Sequence, residues 1–304
     1  MSAKVGYHIT AFLTVVVWGS TFVFTKLLLL NGLSPAQIFT LRFVIAYVLL
    51  TGYEMLFRRN SHRWFAASWR DELVMLALGV TGGSLYFLTE NEALNYTATT
   101  NVSLIVCSCP LVAAFLIGIF YKTERMRPLQ ITGTVLAVCG VTTVVLNGHF
   151  VLHLSPIGDA LALGANLCWA AYTLLLIPAN KNYGALFITR KVFFYGLLTM
   201  IPYYIMMPAE LPSPVGNGIG LDVLLRPQVL TNLLYLGIVA SCICFLVWTW
   251  VVDRLGAVIT TNYVYLNPIS TIIFASVLLG EPITPFFLIG TLLILLGMFL
   301  ADRK

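Results

Sequence analysis

Charge is what this chain has least of. Of its 304 residues only 10% are Asp, Glu, Lys or Arg, against 59% hydrophobic and a mean hydropathy of +0.92. A soluble globular chain is roughly 45–50% apolar and about 25% charged, so a soluble enzyme is excluded. Frameworks held by cysteine are missing as well. Cys107, Cys109, Cys139, Cys168, Cys242 and Cys244 lie inside apolar runs without CxxC spacing, and they read as small core residues rather than disulfides or zinc ligands. No GxxxxGK[ST] phosphate loop occurs, which excludes an ATP-driven pump domain in this chain. His8, His62, His149 and His153 fall at the ends of apolar runs or between them, and no Asp lies mid-run. An intramembrane serine or aspartyl protease would lack its catalytic partners. No catalytic residue, metal ligand or cofactor is expected.

What is present is a succession of apolar runs, roughly 8–30, 34–57, 73–94, 98–121, 128–147, 155–179, 185–207, 230–253, 257–279 and 285–302. At about 20 residues per membrane span they predict ten transmembrane helices and leave no room for a soluble domain. The first run has only Lys4 before it and no small-residue cleavage site after it, and is expected to be a retained span. Cytoplasmic loops keep Lys and Arg. With the N-terminus inside, 14 of the 17 basic residues fall on the inner side, among them Arg58, Arg59, Arg63, Arg70, Lys122, Arg125, Arg127, Arg190, Lys191, Arg303 and Lys304. Only Arg226 falls outside, while Lys26 and Arg42 sit within spans. Both termini are therefore expected in the cytoplasm. The net charge of +5 reads as an orientation signal, not as a nucleic-acid footprint.

The halves resemble each other. Pro110 is followed by Glu124 and Pro268 by Glu281, at spacings of 14 and 13; Gly133 and Gly140 match Gly290 and Gly297 at an offset of 157. Trp18 matches Trp169 at an offset of 151. Two five-helix repeats, 1–150 and 151–304, follow. Because five is odd, the second must be inverted, an arrangement typical of carriers that alternate access about a midplane site. Pro110 and Pro268 are expected to kink their spans as gating points.

These residues carry a family resemblance. Trp18-Gly19-Ser20-Thr21-Phe22 with Lys26, Pro35 and Arg42-Phe43, the segment from Ala93-Leu94 to Pro110, and Leu279-Gly280-Glu281 with Gly290 and Gly297 resemble the EamA family of the drug/metabolite transporter superfamily. Thr123 before Glu124, and the sequence Glu90-Asn91-Glu92, depart from the usual pattern. The resemblance implies ten helices in two inverted repeats, a bacterial inner (plasma) membrane location, and efflux of amino acids or related small metabolites.

Polar residues within a span must face a cavity or another helix, and several stripes at helical spacing qualify. Trp18 and Thr21 lie with Thr14 and Thr25; Asn166 and Trp169 with Asp159 and Thr173; Trp248 with Ser241 and Cys244; Asn267 with Thr260 and Thr271; and Cys107 with Thr100 and Ser103. Substrate contact is expected at Trp18, Thr21, Glu90, Asn166, Trp169, Trp248 and Asn267. Plain helix packing is the competing reading for each Ser or Thr. Glu90 and Glu92 lie about 200° apart on a helix. Glu90 shares the small, polar face of Gly83, Tyr86 and Thr97 and is expected inward, with Glu92 nearer the surface. Lys26, Arg42, Glu90 and Glu92 form a candidate charge-pairing or coupling group, static or proton-linked. The expected function is a secondary transporter acting on a small-molecule metabolite within the lipid bilayer, as a monomer or homodimer. The alternative is a polytopic membrane enzyme or lipid-handling protein.

Overall fold

A computed structural model describes residues 2–57, 64–96, 102, 105–121, 128–146, 155–208, 221–279 and 283–302. Arg58, Arg59, His62, Arg63, Thr97, Thr100, Ser103, Lys122, Thr123, Glu124, Arg125, Arg127, His149, His153, Gly280, Glu281, Arg303 and Lys304 lie outside the described residues, as does the side chain of Leu94. Among the described residues the secondary structure is helical, without strands.

The long helices are α1 (Ser2–Leu30), α2 (Pro35–Phe57), α3 (Trp69–Gly79) continuing through a π-helical turn (Val80–Ser84) into α4 (Leu85–Tyr96), α5 (Cys109–Phe120), α6 (Pro128–Leu146), α7 (Pro156–Asn182) and α8 (Ala185–Leu198). Short α9 (Ile201–Met206) and α10 (Leu221–Leu224) precede α11 (Pro227–Leu234), a π-helical stretch (Tyr235–Ile243) and α12 (Cys244–Leu255). Then come α13 (Ala257–Asn262), a 3-10 turn (Tyr263–Leu266), α14 (Asn267–Leu279) and α15 (Pro285–Asp302). Among the described residues, six continuous stretches are long and apolar enough to cross a membrane: Lys4–Leu30, Pro35–Phe57, Trp69–Ala93, Pro156–Asn182, Ala185–Met206 and Pro227–Leu255. Ile105–Phe120, Pro128–Val144 and Pro285–Ala301 are shorter apolar helices.

Local sequence sets where these helices begin. Ser34-Pro35-Ala36-Gln37 forms a capping box. Gln37 N donates to Ser34 Oγ at 3.3 Å, and Ser34 N donates to Gln37 Oε1 at 2.9 Å, so two otherwise orphaned donors are satisfied reciprocally. Ser155 caps α7 in the same manner, with Asp159 reaching back to its N–H. Pro35 and Pro156 open helices that the proline ring preorganises.

The two prolines expected to kink their spans instead sit where helices restart. Pro110 lies in the first turn of α5, after a turn at Ser108, and Pro268 is the second residue of α14, after the 3-10 turn. A proline in the first turn removes a donor that has no intrahelical acceptor there. The regular α-helical pattern thus changes just upstream of each proline, at Ser108 and over Tyr263–Leu266.

Small residues let these helices approach closely, as is usual inside membranes. A Cβ on Gly82 would run into the Tyr172 ring. Along the α6–α15 contact, Gly133 faces Gly297 and Gly140 faces Gly290. The stretches Trp69–Ala93 and Pro227–Leu255 each carry a π-helical segment, a feature often found at functional sites.

Candidate functional site

A cavity of about 380 Å³ lies between α1, α2, α4, α7, α12, α14 and the residues before α5, within the 300–1,000 Å³ range of small-molecule sites. Its charged groups are Lys26, Arg42 and Glu90. Glu90 Oε1 accepts from the Tyr86 hydroxyl at 2.9 Å, one helical turn earlier. From α2, Arg42 donates through Nε to Ser241 Oγ at 2.8 Å, and its Cζ lies 5.0 Å from the Phe87 ring centroid. Arg42 and Glu90 are both buried. Lys26 is exposed at its edge of the cavity, and Glu92 is exposed and off the wall.

The wall is aromatic. Trp18 meets Trp169 edge to face at 5.5 Å, Phe245 at 5.5 Å and Trp248 at 4.9 Å; Tyr86 contacts Trp169 at 5.2 Å. Trp18 is fixed by an Nε1 hydrogen bond to the Ala240 carbonyl at 2.9 Å. That acceptor lies in the π-helical stretch, whose altered ladder leaves backbone groups for side chains. Two unsatisfied polar atoms belong to wall residues: Trp169 Nε1, a donor, and Asn267 Oδ1, an acceptor, neither with a partner among the described residues. Both atoms are sealed from solvent, so their missing partners are a cost of the packing and not groups presented to the cavity. Thr21, Thr25, Cys107 and Thr271 also line it.

Trp18, Thr21, Glu90, Trp169 and Asn267 are thus brought together, along with Lys26 and Arg42. Asn166 and Trp248 are not. Trp248 is fully buried behind Trp18. Asn166 donates through Nδ2 to the Ile105 carbonyl at 2.5 Å and to Ser108 Oγ at 2.8 Å, and so braces the interruption that precedes Pro110. Its Nδ2 satisfies a helix break, while its Oδ1, like that of Asn267, has no partner among the described residues. Pro110 and Pro268 are off the wall as well.

Sequence reasoning missed the cavity's Phe39, Phe87 and Phe245, since apolar aromatics have no signature inside an apolar run. It found Ser241 but not that Arg42 is its partner, a contact across 199 residues. Arg190 and Lys191, counted with the inner loop charges, lie buried within α8. Arg190 Nη1 is 2.7 Å from Glu54 Oε2, and Lys191 pairs with Glu72.

The EamA-like transporter family matches residues 6–146 and again 156–301. A protein of Archaeoglobus fulgidus named "Uncharacterized transporter" is 28% identical over 299 residues, covering 98% of this chain and 97% of that one. An Escherichia coli protein named "Probable amino-acid metabolite efflux pump" is 25% identical over 306 residues, covering 99% and 95%. A solved crystal structure shares the fold with a TM-score of 0.75 at 18% identity, covering 98% of this chain and 96% of the other. A multi-pass helical membrane protein matched over nearly its whole length by one transporter family, the chain belongs to the EamA-like transporter family.

Proposed function

We propose that the protein is a secondary transporter that exports amino acids or related small metabolites by alternating access about this cavity. The observation that carries the reading is the composition of the wall. Glu90 suits an ammonium group, Arg42 and Lys26 suit a carboxylate, and Trp18, Trp169, Phe39, Phe87 and Phe245 suit an apolar side chain. A zwitterion with an apolar body satisfies all three.

The architecture that goes with it is ten spans in two inverted repeats. Several features support this: the family matches the chain twice, π-helical segments interrupt one stretch in each matched half, Trp69–Ala93 and Pro227–Leu255, and Pro110 and Pro268 both lie at the start of a helix. The distribution of Lys and Arg favours an inner (plasma) membrane with both termini cytoplasmic. The cavity then lies from midplane toward the outer side, since Lys26 is near the end of an outward-running helix and Arg42 near the start of an inward-running one.

The deciding experiment is expression-dependent uptake of a panel of radiolabelled amino acids into inside-out vesicles. Flux that is lost in Trp169→Ala and Asn267→Ala, at unchanged folded protein, is expected. No flux with any amino acid above empty-vector vesicles would sink the reading and favour a membrane enzyme or lipid-handling protein.

A further inference from the structure

Four buried or half-buried charges lie well away from the cavity and take no part in it: Glu54, Glu72, Arg190 and Lys191. The last two are neighbours on α8, yet they turn to different helices. Arg190 reaches Glu54 at the end of α2, with 2.7 Å between Nη1 and Oε2 and both side chains under 10% exposed. Lys191 reaches Glu72 in the first turn of α3. Tyr195, one turn further along α8, donates its hydroxyl to the same Glu72 carboxylate at 2.5 Å. The segment before α3 is fastened to this cluster. Ala66 N donates to Glu72 Oε2 at 2.6 Å, Ala67 N donates to the Tyr183 hydroxyl at 2.8 Å, and that hydroxyl donates to Asp71 at 2.8 Å. The Trp64 and Phe65 rings lie 5.5 and 5.0 Å from Arg190 Cζ and Lys191 Nζ.

The helices fastened here are the helices that open onto the cavity. α2 lines it with Ile38, Phe39 and Arg42 near its start and is tied at its other end through Glu54. The α3–α4 stretch lines it with Tyr86, Phe87 and Glu90 and is tied at its start through Asp71 and Glu72. Between cavity and cluster stands one aromatic layer. Phe245 lines the cavity, Phe193 packs on it at 5.5 Å and on Phe43 at 4.7 Å, and Phe193 lies one turn from Arg190. A buried ion pair is a poor source of net stability, because desolvation offsets its attraction, but removing one partner is strongly destabilising. Such a pair suits a contact that has two states better than a permanent one.

We propose that Glu54–Arg190 and Glu72–Lys191 form a latch that closes the cytoplasmic end of the transport path while the cavity is available on the outer side. The proposal rests on the alternating-access reading above. To open the inner side, the ends of α2 and α3 must part from α8, and these two pairs must break.

The test uses the full-length protein with its six native cysteines replaced, labelled by a membrane-impermeant maleimide. Thr189→Cys, buried beside the latch and bonded to Thr249, reports the inner side in inside-out vesicles. Thr25→Cys, on the cavity wall, reports the outer side in right-side-out vesicles. Adding Glu54→Gln should speed labelling at position 189 by about tenfold, within the usual 5–150-fold span of a coupling between states, and slow labelling at position 25. The swap Glu54→Arg with Arg190→Glu should restore both. Labelling that rises at both positions signals general loosening and overturns the latch, as does an unchanged rate at position 189. If Glu54→Gln does not fold, Glu72→Gln carries the test with the same outcomes, its carboxylate being partly exposed. Absence of transport by wild type would refute the transporter reading instead, and is scored in the separate flux assay.

Discussion

Gly140 and Gly290 each occupy the space into which a side chain on the other would grow: a Cβ on either would come within 2.7 Å of the other's carbonyl oxygen. Gly133 and Gly297 meet in the same reciprocal way, at 2.5 and 2.6 Å. The contact pattern has the form of a two-fold relation. If Gly133 corresponds to Gly290 and Gly140 to Gly297, the contact of Gly133 with Gly297 maps onto that of Gly290 with Gly140. Self-complementary contacts of this kind are what a two-fold axis produces between like surfaces.

The first prediction follows from that contact. Gly140→Leu or Gly290→Leu should drive α6 and α15 apart and destabilise the fold by about 1–3 kcal/mol, the usual range for overpacking. Gly52→Ala and Gly118→Ala, whose added Cβ would meet nothing within 4 Å, should be near neutral. Thermal unfolding in detergent checks this. Equal midpoints for Gly140→Leu and Gly118→Ala would remove the packing argument.

A second prediction separates two asparagines that look alike in sequence. Asn166 donates through Nδ2 to the Ile105 carbonyl and Ser108 Oγ, so Asn166→Ala should cost about 1–3 kcal/mol through the buried acceptors it leaves unpaired, and should lower the yield of folded protein. Asn267, unlike Asn166, lines the cavity. Asn267→Ala should abolish transport at normal expression. Expression and flux measured side by side decide the matter; the reverse pattern would exchange the two roles.

Topology gives the third. Reporter fusions after Lys304 and within Pro212–Pro214 should read opposite sides of the membrane, because in the proposed ten-span arrangement the basic residues fall on alternate loops. If both reporters read the same side, the ten-span count is wrong.

The degree to which all this was legible in sequence divides along a physical line. Helices follow from long apolar runs, since a backbone in lipid must satisfy its own hydrogen bonds, and glycine spacing marked Gly133, Gly140, Gly290 and Gly297 as matched positions, though not that they meet. Trp18, Thr21, Glu90, Trp169 and Asn267 could be found as polar or amphipathic side chains where hydrocarbon would reject them. What could not be read is pairing across distance. Arg190 and Lys191 near the start of an apolar run look like an orientation signal, and only the folded chain sets Glu54 and Glu72 against them. Asn166 has the polarity of a ligand contact. Whether it faces a cavity or a broken helix depends on where Ser108 interrupts the segment before α5, and a lone proline does not announce on which side of itself that break falls.

The last prediction concerns Glu90. Its carboxylate lies buried on the cavity wall, takes one hydrogen bond from Tyr86, and shares the cavity with Arg42 and Lys26. Arg42 is held elsewhere in this state, by Ser241 and the face of Phe87, so the two buried charges face one space without a direct ion pair. If the helices that carry them move between access states, the distance between them changes, and with it the affinity of Glu90 for a proton. A group whose proton affinity differs between two states links proton binding to the equilibrium between them. Glu90→Gln keeps the hydrogen bond to Tyr86 but removes the titration, and should flatten the dependence of flux on external pH when flux is normalised to folded carrier. A structural role makes another forecast. Loss of a mere packing or pairing partner would reduce the amount of folded protein while the normalised pH profile kept its wild-type shape. Flux measured across a series of external pH values, for wild type and Glu90→Gln at matched amounts of folded protein, therefore separates coupling from architecture, and coincident profiles would leave Glu90 as a structural group.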